Sequence, residues 1–334
     1  MGGVGRTRAS NVNATRAWRE NRRGSSWKNK HLTNHILINI CRQMIGQSRS
    51  IIFFGSDAFS LACLRELRRL EVQVTGVVPI AKSMLHSKAK ELRLPKVDPE
   101  MTEFDVGLVA SYGKFIPRRI ITRARMCMLN VHPSLLPEWR GPAPIQRSIM
   151  NGSRLGVSII DVHPKVIDAG DIYSQRLLGT ETISFKEAEE QLAVLGAQEL
   201  FNVIQNYDTI KKSPQEGEAT YAEPITNKDS AISFANMNAE DIYLTYLAIS
   251  HQETVRCHSI TRELFIKDIS GFDPTTNLKV GEVFYDRAAR LLKVGAKTGS
   301  VGIKSGVLKG KSSLLDAGGI VSALGLKNHQ IGFL

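Results

Sequence analysis

A chain of 334 residues, 42% hydrophobic and 23% charged, fits an ordinary globular protein with room for two domains. It has no run of about 18 apolar residues that would read as a membrane span. Its four cysteines (Cys41, Cys63, Cys127, Cys257) have the spacing of neither a zinc site nor a disulfide framework. The net charge of +12 is unevenly spread: residues 1–50 carry +9, residues 272–334 carry +5, and the remainder sums to −2, so overall basicity is no argument for a nucleic-acid surface.

Residues 1–50 are rich in Arg, Ser and Asn and hold one acid, Glu20. Leu37, Ile40, Cys41, Met44 and Ile45 fall at helical spacing. Arg-rich, acid-poor and amphipathic describes a mitochondrial transit peptide, since a secretory signal needs a continuous apolar segment. Ile51–Phe54 then predicts a buried strand, Ala58–Leu70 a helix, and Val72–Val78 a second strand. Strand, turn, helix, strand opens a doubly wound α/β domain. The turn Gly55-Ser56-Asp57 lacks G-x-G-x-x-G, so a dinucleotide site has no fingerprint here. Residues 79–100 are polar and irregular. Val106–Ala110 is a further strand, leading into Ser111-Tyr112-Gly113.

Met126–Val131 reads as the end of a buried strand and runs into Asn130-Val131-His132-Pro133-Ser134-Leu135-Leu136-Pro137-Glu138-Trp139-Arg140-Gly141-Pro142-Ala143-Pro144. Side chains at i and i+2 share one face of a strand, so Asn130 can offer an amide N–H and His132 an imidazole to the same reacting atom. The prolines and Gly141 make the following segment a constrained loop, suited to the wall of a site. Pro144 starts a helix to Met150. Leu155–Val162 and Asp171–Leu178 are predicted strands, joined by a loop that carries Asp168. Phe185–Tyr207 is an amphipathic helix. Residues 208–232 are turn-rich and read as a linker between domains. Ala239–Ile249 is a helix. Glu263–Ile269, Leu278–Tyr285, Leu291–Val294 and Ser300–Val307 are short strands at the spacing of a small antiparallel barrel. The basic residues of this last part could neutralise phosphates on one face.

The N-x-H-P-S-L-L-P…R-G-P-A-P run resembles the 10-formyltetrahydrofolate-dependent formyltransferases. The resemblance covers about residues 51–320 and is strongest at Asn130–Arg147 and Gly156–Asp171. Within the family it points to the branch whose acceptor is methionyl-tRNA, in its animal mitochondrial form. It implies an α/β, doubly wound and mostly parallel sheet domain followed by a small OB-like β-barrel domain. The expected division is a leader at 1–50, a catalytic domain at 51–207, a linker at 208–232 and a tRNA-binding domain at 233–334. The implied catalytic set is Asn130, His132 and Asp168. Ser134, Leu135, Leu136, Pro137 and Tyr112 are implied folate contacts, and Lys304, Lys309 and Lys311 are expected on the RNA. The expected co-substrate is 10-formyltetrahydrofolate without a metal. The protein is expected in the mitochondrial matrix as a monomer, with no membrane attachment.

Formyl transfer to an amine needs a proton removed from the amine, a stabilised oxyanion and a protonated leaving nitrogen. Asn130 could serve the oxyanion. His132 could donate to it or shuttle the proton. Asp168 could raise the basicity of the imidazole, orient it, or order a water. The alternatives are a glycinamide ribonucleotide enzyme, whose chain would end near residue 200, a sugar-nucleotide formyltransferase, and a non-catalytic RNA- or folate-binding protein.

Overall fold

The computed structural model describes residues 49–179 and 182–333. The proposed leader at 1–50, with its Leu37–Ile45 stripe, lies outside the described residues apart from its last two. Ile51–Phe54 extends by one residue as β1 (Ile51–Gly55), whose five residues are all buried. The order then runs α1 (Ala58–Arg69), β2 (Val74–Pro79), α2 (Met84–Lys88), β3 (Phe104–Ala110), α3 (Arg118–Ile121), β4 (Ala124–His132) and α4 (Pro144–Met150). It continues through β5 (Leu155–Asp161), β6 (Ile172–Gly179) and α5 (Phe185–Gln205).

These strands form one sheet in the order β2-β1-β3-β4-β5-β6. The pairs β1–β2, β1–β3 and β3–β4 are parallel, whereas β4–β5 and β5–β6 are antiparallel. The chain leaves β1 to one side for β2 and crosses to the other for β3. The carboxyl ends of β1 and β3 therefore flank a topological switch point, where open α/β sheets leave a crevice. Helix α5 covers the β4–β5 region and packs on α1. Ala188, Leu192, Ala193, Leu200 and Val203 form its buried stripe, and Ser184 with Glu187 makes a capping box at its start.

The second half holds α6 (Ala239–Ile249), β7 (Arg256–His258), β8 (Glu263–Asp273), β9 (Glu282–Asp286), β10 (Leu291–Gly295) and β11 (Ser300–Leu308). It ends in β12 (Leu315–Asp316), α7 (Ala317–Leu324) and β13 (Gln330–Ile331). Its strands make a separate antiparallel sheet in the order β13-β9-β10-β11-β8-β7, with β12 on β11. Helix α6 packs on α4. One hydrophobic cluster runs through both halves, joining Val131, Val157 and Leu192 to Phe234, Ile242 and Ile303. Arg147 of α4 ties the intervening segment down: it donates to the carbonyls of Glu223 and Pro224, each at 3.0 Å, and pairs with Asp229 at 2.6 Å. Among the described residues no helix is long and apolar enough to cross a membrane.

Candidate active site

The carboxyl ends of β1, β3 and β4 open into a cavity of about 530 Å³. Asn130 and His132, two apart near the end of β4, both line it, as the strand period requires. Asp168 reaches the same cavity from the loop between β5 and β6, 36 residues beyond His132. Its Oδ1 lies 3.6 Å from His132 Nδ1 and accepts a hydrogen bond from Asn130 Nδ2 at 3.3 Å. Its Oδ2 accepts the backbone N–H of Gly141 at 2.9 Å. The amide, imidazole and carboxylate therefore converge.

The tautomer of His132 follows from its other contact. Nε2 lies 3.0 Å from the carbonyl oxygen of Trp139. A carbonyl only accepts, so Nε2 carries the proton. Nδ1 is then the nitrogen that can take up or release a proton beside Asp168. The His132 side chain is only 5% exposed and that of Asp168 10%, so their interaction is weakly screened.

Two glycines allow this approach. A Cβ on Gly170 would sit 1.8 Å from the carbonyl oxygen of Asp161, so only glycine lets the Asp168 loop lie against the end of β5. Gly141 has φ +117°, which is open to glycine and strained for other residues. Trp139 (φ 61°) and Asp168 (φ 54°) hold left-handed conformations without being glycine, and such strain persists at functional sites only when the surroundings impose it.

Asp57 and Glu189 also line the cavity. Asp57 caps α1 by accepting the N–H of Ser60 at 3.0 Å, and it also accepts the Ser111 hydroxyl. Burial and, behind it, the charge of Asp57 push the Glu189 carboxyl up to about 7, with Lys186 opposing them. Tyr112 lines the slot edge-on to Phe54, their centroids 5.5 Å apart, and burial raises its phenol. Phe115, Val166, Ile167 and Tyr221 line the cavity although each is at least 47% exposed, giving it an apolar rim.

Ser134, Leu135, Leu136 and Pro137 do not line this cavity. Ser134 Oγ donates to the carbonyl of Glu138 at 2.6 Å. The N–H of Leu136 donates to Ser158 Oγ at 3.0 Å, and Ser158 Oγ donates to the carbonyl of Ser134 at 2.7 Å. These contacts hold the loop against Ser158 of β5. His163 lines the cavity, and its Nδ1 accepts the N–H of Val166 at 2.9 Å, shaping its own turn. Lys304, Lys309 and Lys311 lie far along the chain on or beside β11. Lys304 is 3.8 Å from Asp268, and Lys309 pairs with Glu263 at 2.7 Å, holding that carboxyl below its ordinary value.

Sequence reasoning missed Glu189, Phe115, Val166 and Ile167. Nothing in their local pattern marks them, because α5 and the two loops meet only in space. It also missed Gln215, whose amide nitrogen donates to the carbonyls of Asp168 and Gly170 at 2.8 and 2.9 Å.

A family model described as formyl transferase matches residues 62–203. Fold, cavity and this match together define a formyltransferase. The human mitochondrial methionyl-tRNA formyltransferase is 32% identical over 290 residues, which cover 78% of this chain and 74% of that protein. The methionyl-tRNA formyltransferase of Sulfurihydrogenibium is 30% identical over 262 residues, covering 70% of this chain and 84% of that one. The chain belongs to the methionyl-tRNA formyltransferase family. Among solved structures, HypX from Aquifex aeolicus in complex with tetrahydrofolic acid superposes with a TM-score of 0.56 at 20% identity. That match covers 82% of this chain and 47% of HypX, so the chain spans about half of HypX, and the likeness is one of fold.

Proposed function

We propose that this protein transfers the formyl group of 10-formyltetrahydrofolate to the amino group of methionyl-tRNA, in the mitochondrial matrix. The observation that carries the chemistry is the meeting of Asn130, His132 and Asp168 at one cavity. The cavity has the size of a small-molecule site, with the apolar walls Val109, Ile116 and Val162 and the polar strand ends that a flat pterin ring needs. The formyl donor is a substrate, already activated on nitrogen.

The acceptor nitrogen attacks the formyl carbon, and the carbonyl oxygen becomes an oxyanion. Asn130 Nδ2 supplies an N–H toward it, aimed by the bond to Asp168. His132 Nδ1 takes the proton that the attacking amine loses. The resulting imidazolium is stabilised by the Asp168 carboxylate 3.6 Å away. Collapse of the intermediate breaks the bond from the formyl carbon to the folate nitrogen, and His132 returns the proton to that leaving nitrogen. Nε2 stays bonded to Trp139 throughout, so the ring keeps its orientation.

The second half is proposed as an OB-like barrel that holds the RNA. Support comes from the two ends of its sheet: Ser259 beyond β7 bridges Phe333 beyond β13, and the N–H of Ile260 donates to the carbonyl of Gly332 at 3.0 Å. Lys304, Lys309 and Lys311 are the proposed phosphate contacts. The relatives named for mitochondria and the basic leader support the location. The test is formyl transfer from 10-formyltetrahydrofolate to initiator and elongator tRNAs, each charged with methionine. Formylmethionyl-tRNA is the expected product, with the initiator preferred, and absence of product on both would refute the proposal.

A further inference from the structure

We infer that the segment from Ser213 to Ala222 is part of the catalytic apparatus, with Gln215 and Thr220 as positioning residues for Asp168 and His132. The inference rests on the formyl-transfer reading above and adds residues to it. By composition this segment is a polar connector. In the structure it bonds to both loops that carry the site, through Trp139 and Arg140 on one and Asp168 and Gly170 on the other.

Gln215 uses every bonding capacity of its amide. Nε2 donates to the carbonyls of Asp168 (2.8 Å) and Gly170 (2.9 Å). Oε1 accepts from Arg140 Nε (3.0 Å) and Nη2 (2.6 Å). One side chain thus joins the loop that carries the carboxylate to the loop that follows the imidazole. A primary amide supplies two donors and an acceptor with two lone pairs, which this geometry requires. A carboxylate of the same length would place oxygens against two carbonyl oxygens.

Thr220 acts on the imidazole. Its Oγ1 accepts the N–H of Trp139 at 2.8 Å, and the carbonyl of the same Trp139 accepts from His132 Nε2. Trp139 sits in the left-handed region, so its conformation needs external support. The backbone adds a short parallel bridge: the N–H of Arg140 donates to the carbonyl of Thr220 at 2.9 Å, and that of Ala222 to the carbonyl of Arg140 at 2.7 Å. At the other end Ser213 pairs in both directions with Ile172, next to the Asp168 loop. The segment is thereby fixed at both ends, with the two positioning side chains between.

Displacing a catalytic group by about 1 Å costs roughly 10²-fold in rate. The test measures single-turnover formylation of methionyl-tRNA well below each variant's melting temperature, with Gln215→Glu, Thr220→Val and Thr220→Ser beside the unmodified protein. Gln215→Glu keeps the length but loses both donors, and its rate is expected to fall about 10- to 100-fold. Thr220→Val keeps the shape but loses the acceptor. Its rate should fall about tenfold and its pH–rate profile should move, because the Trp139 carbonyl on His132 is no longer held. Thr220→Ser restores the acceptor and should return both readouts to within about twofold. Tetrahydrofolate affinity and the KM for methionyl-tRNA should stay unchanged in all three. Rates near normal in Gln215→Glu and Thr220→Val overturn the inference, as does a loss confined to KM or one that serine does not restore. If Gln215→Glu does not fold, the Thr220 pair decides alone. An unmodified protein that forms no formylmethionyl-tRNA refutes the parent proposal instead.

Discussion

Asp168→Asn is the substitution whose effect the geometry defines most closely. The carboxylate meets three groups: Asn130 Nδ2 at 3.3 Å and His132 Nδ1 at 3.6 Å on one oxygen, and the Gly141 N–H at 2.9 Å on the other. An amide has only one oxygen. Whichever way it turns, an NH₂ faces a donor or the nitrogen proposed to accept a proton. The size of the loss follows from the ion pair that forms when His132 is protonated. Opposite charges 3.6 Å apart attract by about 4–5 kcal/mol at an effective dielectric of about 20. A neutral amide keeps part of this through its dipole, so about 3–4 kcal/mol is lost, equivalent to roughly 10²–10³ in rate at about 1.4 kcal/mol per decade. The KM for methionyl-tRNA should change little, because the charge develops only during the reaction. The assay is rapid-quench single-turnover transfer of labelled formyl, with a thermal melt to establish folding. A folded Asp168→Asn protein reacting within tenfold of the unmodified rate would refute the role of the carboxylate.

Three further outcomes follow. Arg147→Ala removes the bonds to Glu223, Pro224 and Asp229 and should cost about 2–3 kcal/mol, on the scale of a charged hydrogen bond; denaturant unfolding with an unchanged midpoint would contradict this. The Glu189 carboxyl, ordinarily near 4.5, titrates at about 7 in the folded chain. Between those values the folded state holds a proton that the unfolded state has lost, so stability should decline as pH rises through the window and level off above it. Glu189→Gln should flatten that decline, and parallel melting-temperature curves for the two proteins would exclude it. Reversing the charge of Lys304, Lys309 and Lys311 together should raise the KM for methionyl-tRNA more than that for the folate and weaken the salt dependence of RNA binding. An RNA KM that does not move would remove this face from the proposed interface.

The site was legible where chemistry follows a local period. Asn130 and His132 share a strand face because strand side chains alternate, and the apolar run before them marks that strand. Asp168 was reachable only through family resemblance, since a single Asp on a glycine loop has no local mark of catalysis. The sequence predicts a mostly parallel first sheet, and β1, β2, β3 and β4 are parallel to one another. The reversal at β4–β5 was not legible, because an apolar run such as Leu155–Asp161 carries no strand direction. Residues 79–100 carry no helical pattern in the sequence, yet they contain α2, started by Ser83 accepting the N–H of His86. Helix α7 and strand β7 were also missed, being short and built largely from small or polar residues. Gln215 and Thr220 show the limit most clearly. Their neighbours carry only turn signals, and the partners that give them meaning, Asp168 and Trp139, stand 47 and 81 residues away.

In the proposed mechanism His132 Nδ1 carries the proton from the amine to the leaving folate nitrogen. The most direct test of this role is single-turnover formylation of methionyl-tRNA by the His132→Ala protein, with folding shown by an unchanged thermal melt. A rate at least about 10² lower than that of the unmodified protein is expected, on the scale of a lost general acid–base. A folded variant that forms formylmethionyl-tRNA at near-normal rate would exclude His132 as the proton carrier.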